Sequence, residues 1–187
     1  MGSFNRKLMH KMSSFIPMNS EPLSIEMDEF TACLVHRQSG ETYSTSIAPL
    51  QKSDVKRLGP QNGWSKFNWD KELSDPSRKV YKLLVNGDER IHGVISYEVL
   101  DGYVYIHLIE SAPWNRNTKE FVGVGPHLVA LACRESFELG FEGYVCFLSK
   151  SNLLEHYRKS LNAFQIGGLR MAIKTNDAKK LVDTYFS

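Results

Sequence analysis

Cysteine is scarce in this chain, with Cys33, Cys133 and Cys146 the only three in 187 residues. They are widely spaced, so they form neither a disulfide framework nor a Cys-x-x-Cys pair for metal or redox chemistry. Two of them sit in apolar runs. The expectation is buried free thiols in a reducing compartment, which puts the protein in the cytoplasm. Long apolar runs are missing too, and none approaches the ~20 residues of a membrane-spanning helix. The first residues lack a signal peptide's apolar core, because Arg6, Lys7, His10 and Lys11 interrupt it. Arg6 also spoils the match of Met1-Gly2 to a myristoylation signal. Neither sign of charge dominates: 23 Lys and Arg against 21 Asp and Glu leave +2, too little to argue for a nucleic-acid surface. Neither a membrane nor a nucleic acid is expected as a partner. No His-x-x-x-His pair or carboxylate cluster suggests a metal, no Gly-x-Ser-x-Gly elbow suggests a hydrolase, and no internal repeat is present.

What is there is ordinary for a globular protein: 42% apolar and 24% charged residues, in a chain long enough for one well-cored domain. Residues 1–28 carry five of the six methionines. They read as an arm, or as a short helix packed on a single domain over 29–187. Phe30 to Val35 and Thr42 to Ile47 flank Gln38-Ser39-Gly40-Glu41 as a hairpin. A short helix over Ser53 to Leu58 stops at Gly59-Pro60. Trp64, Phe67 and Trp69 make an aromatic section whose plainer role is core packing, with ligand contact as the other reading. Val80 to Val85 and Ile91 to Leu100 flank Asn86-Gly87-Asp88, and Asp101-Gly102 leads into Tyr103 to Glu110, giving three antiparallel strands. Strict alternation puts Tyr103, Tyr105, His107 and Ile109 on one face of the third strand, and Val104, Ile106, Leu108 and Glu110 on the other.

The stretch from Tyr103 to Phe164 organises the rest. After the strand and a polar loop, Gly123-Val124-Gly125 opens an amphipathic helix with Pro126 in its first turn; Leu128, Leu131, Ala132 and Leu139 follow at helical spacing, up to Gly140. A strand over Tyr144 to Leu148 and a helix over Asn152 to Leu161 come next. Phe164 to Ile166 and Leu169 to Ile173 form a closing hairpin around Gly167-Gly168, and Asn176 can cap a last helix. Glycine amides between a strand and a helix suit a phosphate-bearing ligand, although two glycines also make a tight loop.

This order of elements resembles the GNAT superfamily of acetyl-CoA-dependent N-acyltransferases, over Tyr103 to Thr175 and more loosely over residues 28–102. Pro113-Trp114-Asn115-Arg116 is similar to the segment that ends the family's central strand. Gly123-Val124-Gly125 is similar to its phosphate loop, and Tyr157-Arg158-Lys159-Ser160-Leu161-Asn162-Ala163-Phe164 to its tyrosine-bearing helix end. The resemblance implies an α+β fold, with a mixed, mostly antiparallel sheet flanked by helices in α/β/α layers. It also implies acetyl-CoA as cosubstrate, with direct attack by an amine on a small molecule or a protein. The amides of Val122, Gly123, Val124 and Gly125 would cradle the pyrophosphate, with Asn152 a further contact. An amide among Ile109, Ser111 and Ala112 would stabilise the oxyanion, and Tyr157 would protonate the thiolate. Tyr157 read without the family is a core tyrosine. Glu110 is the candidate base; its other reading is a rim carboxylate or a partner of Arg116. His107 is the rival base, on the opposite face by alternation.

Some positions depart from the family pattern. Glu120 stands where Gln or Arg is expected, unless Arg116 is the motif arginine in a longer loop. No glycine stands between Tyr157 and Phe164, and Asn152 lies five residues before Tyr157 where the family has seven. These departures motivate an alternative, a non-catalytic GNAT-like module that binds coenzyme A or a protein partner. Gly167-Gly168 and the last helix offer a homodimer contact, though no residue demands one.

Overall fold

The computed structural model describes residues 6–14, 21–23, 34–65 and 67–186. Phe30 to Cys33, at the expected start of the first hairpin, lie outside them. Helix α1 (Arg6–Ser14) precedes a hairpin of β1 (Leu34–His36) and β2 (Thr42–Tyr43), which turns at Gly40. The expected second hairpin strand breaks at Ser44. Its continuation, β3 (Thr45–Pro49), leaves the hairpin and becomes an edge of the main sheet. Helix α2 (Lys52–Val55), a 3-10 turn (Pro60–Asn62) and α3 (Trp69–Ser74) follow. α3 replaces part of the aromatic stretch, and the Asn68 side chain caps it by accepting from the Lys71 amide.

The three antiparallel strands are β4 (Arg78–Val85), β5 (Asp88–Leu100) and β6 (Tyr103–Ser111). The expected polar loop after β6 holds a short helix, α4 (Pro113–Asn117), and then β7 (Phe121–Val122). Helix α5 (Val124–Glu138), β8 (Val145–Leu148), a 3-10 turn (Ser151–Leu153), α6 (Leu154–Leu161), β9 (Phe164–Gly167), β10 (Arg170–Ile173) and α7 (Thr175–Phe186) complete the chain. Asn176 is therefore inside α7 rather than capping it.

The main sheet runs β3-β4-β5-β6-β8-β10-β9, and β6–β8 is its one parallel pairing; β2-β1-β7 forms a second, small sheet. Helices α5, α6 and α7 pack on one face of the main sheet over Leu83, Ile95, Ile106 and Phe147. On the other face, Trp64 and Trp69 cover Val94 and Leu108, while α1 lays Met12 against Tyr103, Tyr105 and Cys146. Trp64 and Trp69 are thus core residues.

Helix α5 is less amphipathic than its spacing suggests. Val124 through Cys133 are all buried, because the sheet covers one side and α7 another. Gly93 on β5 permits the close approach: a Cβ there would lie 2.8 Å from Leu128 Cδ1 and 2.9 Å from Val124 Cγ1.

Strict alternation fails in β6. Ser96 pairs with Leu108 and Tyr97 with Ile106, so His107 is an extra residue on β6 opposite a single step of β5. This β-bulge reverses the faces beyond it. Ile109 joins Val104 and Ile106 against α5, while Leu108 joins Trp64 and Trp69. Glu110 bonds into the same Trp69 layer, so His107 and Glu110 share a face, contrary to the expectation.

Candidate functional site

Past the bulge, β6 and β8 part. Their pairing covers Val104↔Val145, Tyr105↔Cys146 and Ile106↔Phe147 and goes no further. Backbone direction on each inner edge follows from the outer neighbours. The Ala112 amide donates to His92 O (3.0 Å) on β5, so alternation turns the amides of Ile109 and Ser111 toward the gap. Ala112 itself is committed to β5. On β8, Ser149 N–H donates to Leu169 O (2.8 Å) beside β10, which turns Leu148 O and Lys150 N–H toward β6. Two backbone edges therefore face one another across a gap.

The expected cradle lies at the start of α5. Gly123 has φ 94, a left-handed conformation that suits glycine, and it forms the helix N-cap. Val122 belongs to the small sheet. Arg37 N–H donates to Glu120 O (2.9 Å) and Val35 pairs with Val122, so the ladder directs the Val122 amide at β1. Gly123, Val124 and Gly125 are buried, and Gly123 and Val124 are already engaged by other groups. Neither candidate for the motif arginine faces the cradle with a free charge. Glu120 is ion-paired with Arg90 (2.6 Å), and Arg116 is bonded to Ser65 Oγ (2.6 Å), Gly63 O (2.7 Å) and Glu110 (3.2 Å).

Glu110 is 2% exposed. Its Oε1 accepts from the Ser65 amide (2.5 Å) and from Arg116, and its Oε2 accepts from Trp69 Nε1 (3.0 Å). Of the two sequence readings, the observed geometry is the pairing with Arg116. The carboxylate clasps the segment before α3 and helix α4 onto the end of β6. His107, the rival, is buried; its Nε2 lies 3.0 Å from Glu98 Oε2. Burial, with the nearby Arg78 charge, pushes His107 down to about 3, so the ring is neutral at ordinary pH. It lines a small cavity of about 30 Å³ with Glu21, Asn68, Lys71, Glu72 and Leu108.

Tyr157 lies on α6 with no solvent exposure, and its ring meets Phe147 of β8 edge-on at 5.1 Å. Helix α6 ends at Asn162 in a left-handed conformation, φ 50. An asparagine takes that conformation more readily than most residues other than glycine. Asn152 is exposed in the 3-10 turn that leads into α6.

A wider cavity of about 310 Å³ opens where β6 passes into α4, lined by Arg57, Leu58, Asn62, Trp64, Arg90, Ile91 and Trp114. Trp64 and Trp114 meet edge-to-face at 6.2 Å, and the Arg90 guanidinium sits 5.0 Å over the Trp114 ring. The sequence pointed to an aromatic wall here through Trp64 but not to Trp114 or Arg90. The Cys133 and Cys146 thiols are buried and pushed up by burial, Cys146 to about 12, so both are inert. Cys33 lies outside the described residues. Among the described residues, no helix is long and apolar enough to cross a membrane.

No family model matches the sequence, and no curated protein matches it. Solved structures do match in shape. A GNAT-family protein from Chromobacterium violaceum superposes over 88% of this chain and 94% of its own, with 11% identity and a TM-score of 0.57. A GNAT-family acetyltransferase from Staphylococcus aureus covers 71% of this chain and 99% of its own, with 11% identity and a TM-score of 0.50. At such identities the likeness speaks for the fold alone. With a mixed sheet flanked by helices, β6 and β8 parting beyond three pairs, and α5 opening on Gly123, this chain has the GNAT superfamily fold.

Proposed function

We propose that the protein is a cytoplasmic acyltransferase that moves an acetyl group from acetyl-CoA to an amine on a small molecule or a protein. The observation that carries this reading is the gap between β6 and β8, where two backbone edges face each other; Tyr157 belongs to the buried cluster that also holds Ile109 and Phe147. The start of α5, with Gly123 to Gly125, would hold the pyrophosphate through amides and a helix-end charge of about +0.5 once the present partners of Gly123 and Val124 give way. Asn152, in the turn before α6, would be a further contact. The amides of Ile109 and Ser111 line the gap and would bond the oxyanion as the amine nitrogen adds to the thioester carbonyl. As the carbon–sulfur bond breaks, Tyr157 would give its proton to the thiolate. For Glu110 to take the amine's proton, Arg116 and Trp69 would have to release it. Its three donors support a clasp that fixes the wall beside the gap; the amine's proton would then leave to water and Tyr157 would regain a proton from water, which balances the transfer.

Two measurements test the reading. Acetyl-CoA should bind the full chain in calorimetry; no heat at millimolar cofactor overturns it. Tyr157→Phe should lower turnover by about 10²-fold or more and leave cofactor affinity nearly unchanged. An equal loss in both would show that Tyr157 serves packing. The second reading, a non-catalytic module, is favoured by the pairings of Glu120 with Arg90 and Arg116 with Glu110 at the positions that resemble the motif arginine. Tight cofactor binding without thiol release over a broad amine panel would select it.

A further inference from the structure

The gap between β6 and β8 is not left to a ligand alone. Leu23 forms a parallel bridge with Ser149. Its N–H donates to Leu148 O (2.6 Å) and its carbonyl accepts from Lys150 N–H (3.3 Å). Those two groups are the ones that β8 turns toward β6. The Leu23 side chain is 2% exposed and belongs to the same buried cluster as Ile109, Phe147 and Tyr157. Glu21 lines the small cavity beside His107 at the bulge. One short extended segment thus takes the backbone edge of β8, joins the cluster that buries Tyr157, and borders the other face of the bulge.

From these contacts we propose that Glu21–Leu23 is an internal competitor for the ligand channel between β6 and β8, displaced when an extended, amide-bearing ligand enters. The inference rests on the acyltransferase reading, because it takes the gap to be the cofactor's channel. The chemistry of the exchange is symmetrical. An extended chain with amide groups satisfies the Leu148 carbonyl and the Lys150 amide as Leu23 does, so the edge is paired in either state. The N-terminal segment is also tethered at its near end. Met12 is fully buried against Tyr103 and Tyr105, and Lys11 is ion-paired with Asp101. Such a tether keeps the competitor at a high effective concentration whatever its own contacts are worth.

A competitor docked about nine-tenths of the time lowers the apparent affinity of its rival about tenfold. Calorimetry with coenzyme A as the probe, on the full chain, measures this. Leu23→Pro removes the N–H that bonds Leu148, and Leu23→Gly keeps it but removes the buried side chain. Both variants should bind coenzyme A more tightly, by roughly three- to tenfold. In the unaltered protein, the Leu23 amide should exchange slowly with deuterium and lose that protection when coenzyme A saturates the site, a readout that needs no variant to fold. Protection that survives saturation, or variants that bind no more tightly, would overturn the competition and leave the acyltransferase reading standing. No coenzyme A binding by any of the three proteins would remove both.

Discussion

The two halves of the main sheet are joined to their surroundings by different means. From β3 to β6 the ladders are long; β5 pairs with β6 from Gly93↔Ser111 to Leu100↔Tyr103. That half is also pinned by buried polar groups. Glu110 holds Ser65, Trp69 and Arg116, and Glu72 holds Arg78 (2.8 Å) and Ser96 Oγ (2.6 Å). The half from β8 to β9 joins β6 through three backbone pairs and is fastened mostly by apolar contacts such as Phe147 on Tyr157. Buried polar clasps fix geometry, because each lost bond leaves a group that no water reaches. Apolar contacts tolerate sliding. The first half is therefore the fixed wall of the candidate site, and the second is the side that can yield to admit a ligand.

The largest effect should come from breaking the fixed wall. Glu110→Leu takes the carboxylate from the Trp69 indole and the Ser65 amide and leaves Arg116 with only Ser65 Oγ and Gly63 O. Removing one partner of a buried pair costs ~3–5 kcal/mol, and since Arg116 is about a third exposed, a loss of about 3 kcal/mol is expected. Urea unfolding measures it. If Glu110→Gln keeps nearly full stability but loses turnover, Glu110 is the base and the clasp is secondary.

The yielding half should show itself through pH. His127 on α5 lies tilted against Tyr185 of α7 at 4.7 Å and meets Phe186 edge-on at 5.1 Å. It is 1% exposed, and its Nδ1 has no partner among the described residues. Burial, with the Arg134 charge, pushes it down to about 4. The unfolded chain binds a proton near the ordinary histidine value of ~6.5, and the folded ring resists it. The contribution to stability is therefore complete above ~6.5 and falls as pH drops toward 4, by an amount on the order of 2–3 kcal/mol. His107 adds to the same trend on the other face. His127→Phe should flatten part of this decline, and α7 amides, corrected for the intrinsic pH dependence of exchange, should be less protected at pH 5 than at pH 7 in the unaltered protein only. An identical decline in the variant would assign the acid sensitivity elsewhere.

Local signals made most of the fold legible in the sequence. Gly87 and Gly102 turn β4 into β5 and β5 into β6 with φ of 87 and 92, and these need no distant partner. Gly123 and the Pro126 beside it mark the start of α5 for the same reason. The bulge at His107 was not legible, because it is a mismatch between two strands and period-two alternation assumes none. The fate of Glu110 was half legible: Arg116 lies six residues away, but Ser65 and Trp69 lie 45 and 41 residues off. Leu23 belongs to the same class. A single leucine in a stretch of mixed composition does not announce that it pairs with Ser149. Asn162 shows the converse: the stretch from Tyr157 to Phe164 has no glycine, yet Asn162 supplies the left-handed residue that ends α6.

The smallest expected effect tests where the fixed wall ends. Gly93 lies on β5 under the first turns of α5, where an added Cβ would press on Leu128, on Val124 and on the Glu110 carbonyl, 3.3 Å away. The first two contacts are side-chain methyls that can rotate; the third is backbone held in the β5–β6 ladder. Gly93→Ala should therefore lift the start of α5 slightly, at a cost of about 1–2 kcal/mol, or roughly 2–8 °C in Tm for a domain of this size. Because Gly123 caps α5, the same displacement should weaken coenzyme A binding by several-fold, while the pairing of β8 with β10 stays as it was. Unchanged affinity alongside the lost stability would separate the close approach of α5 from ligand binding. It would place the boundary of the fixed wall at β6, short of the helix.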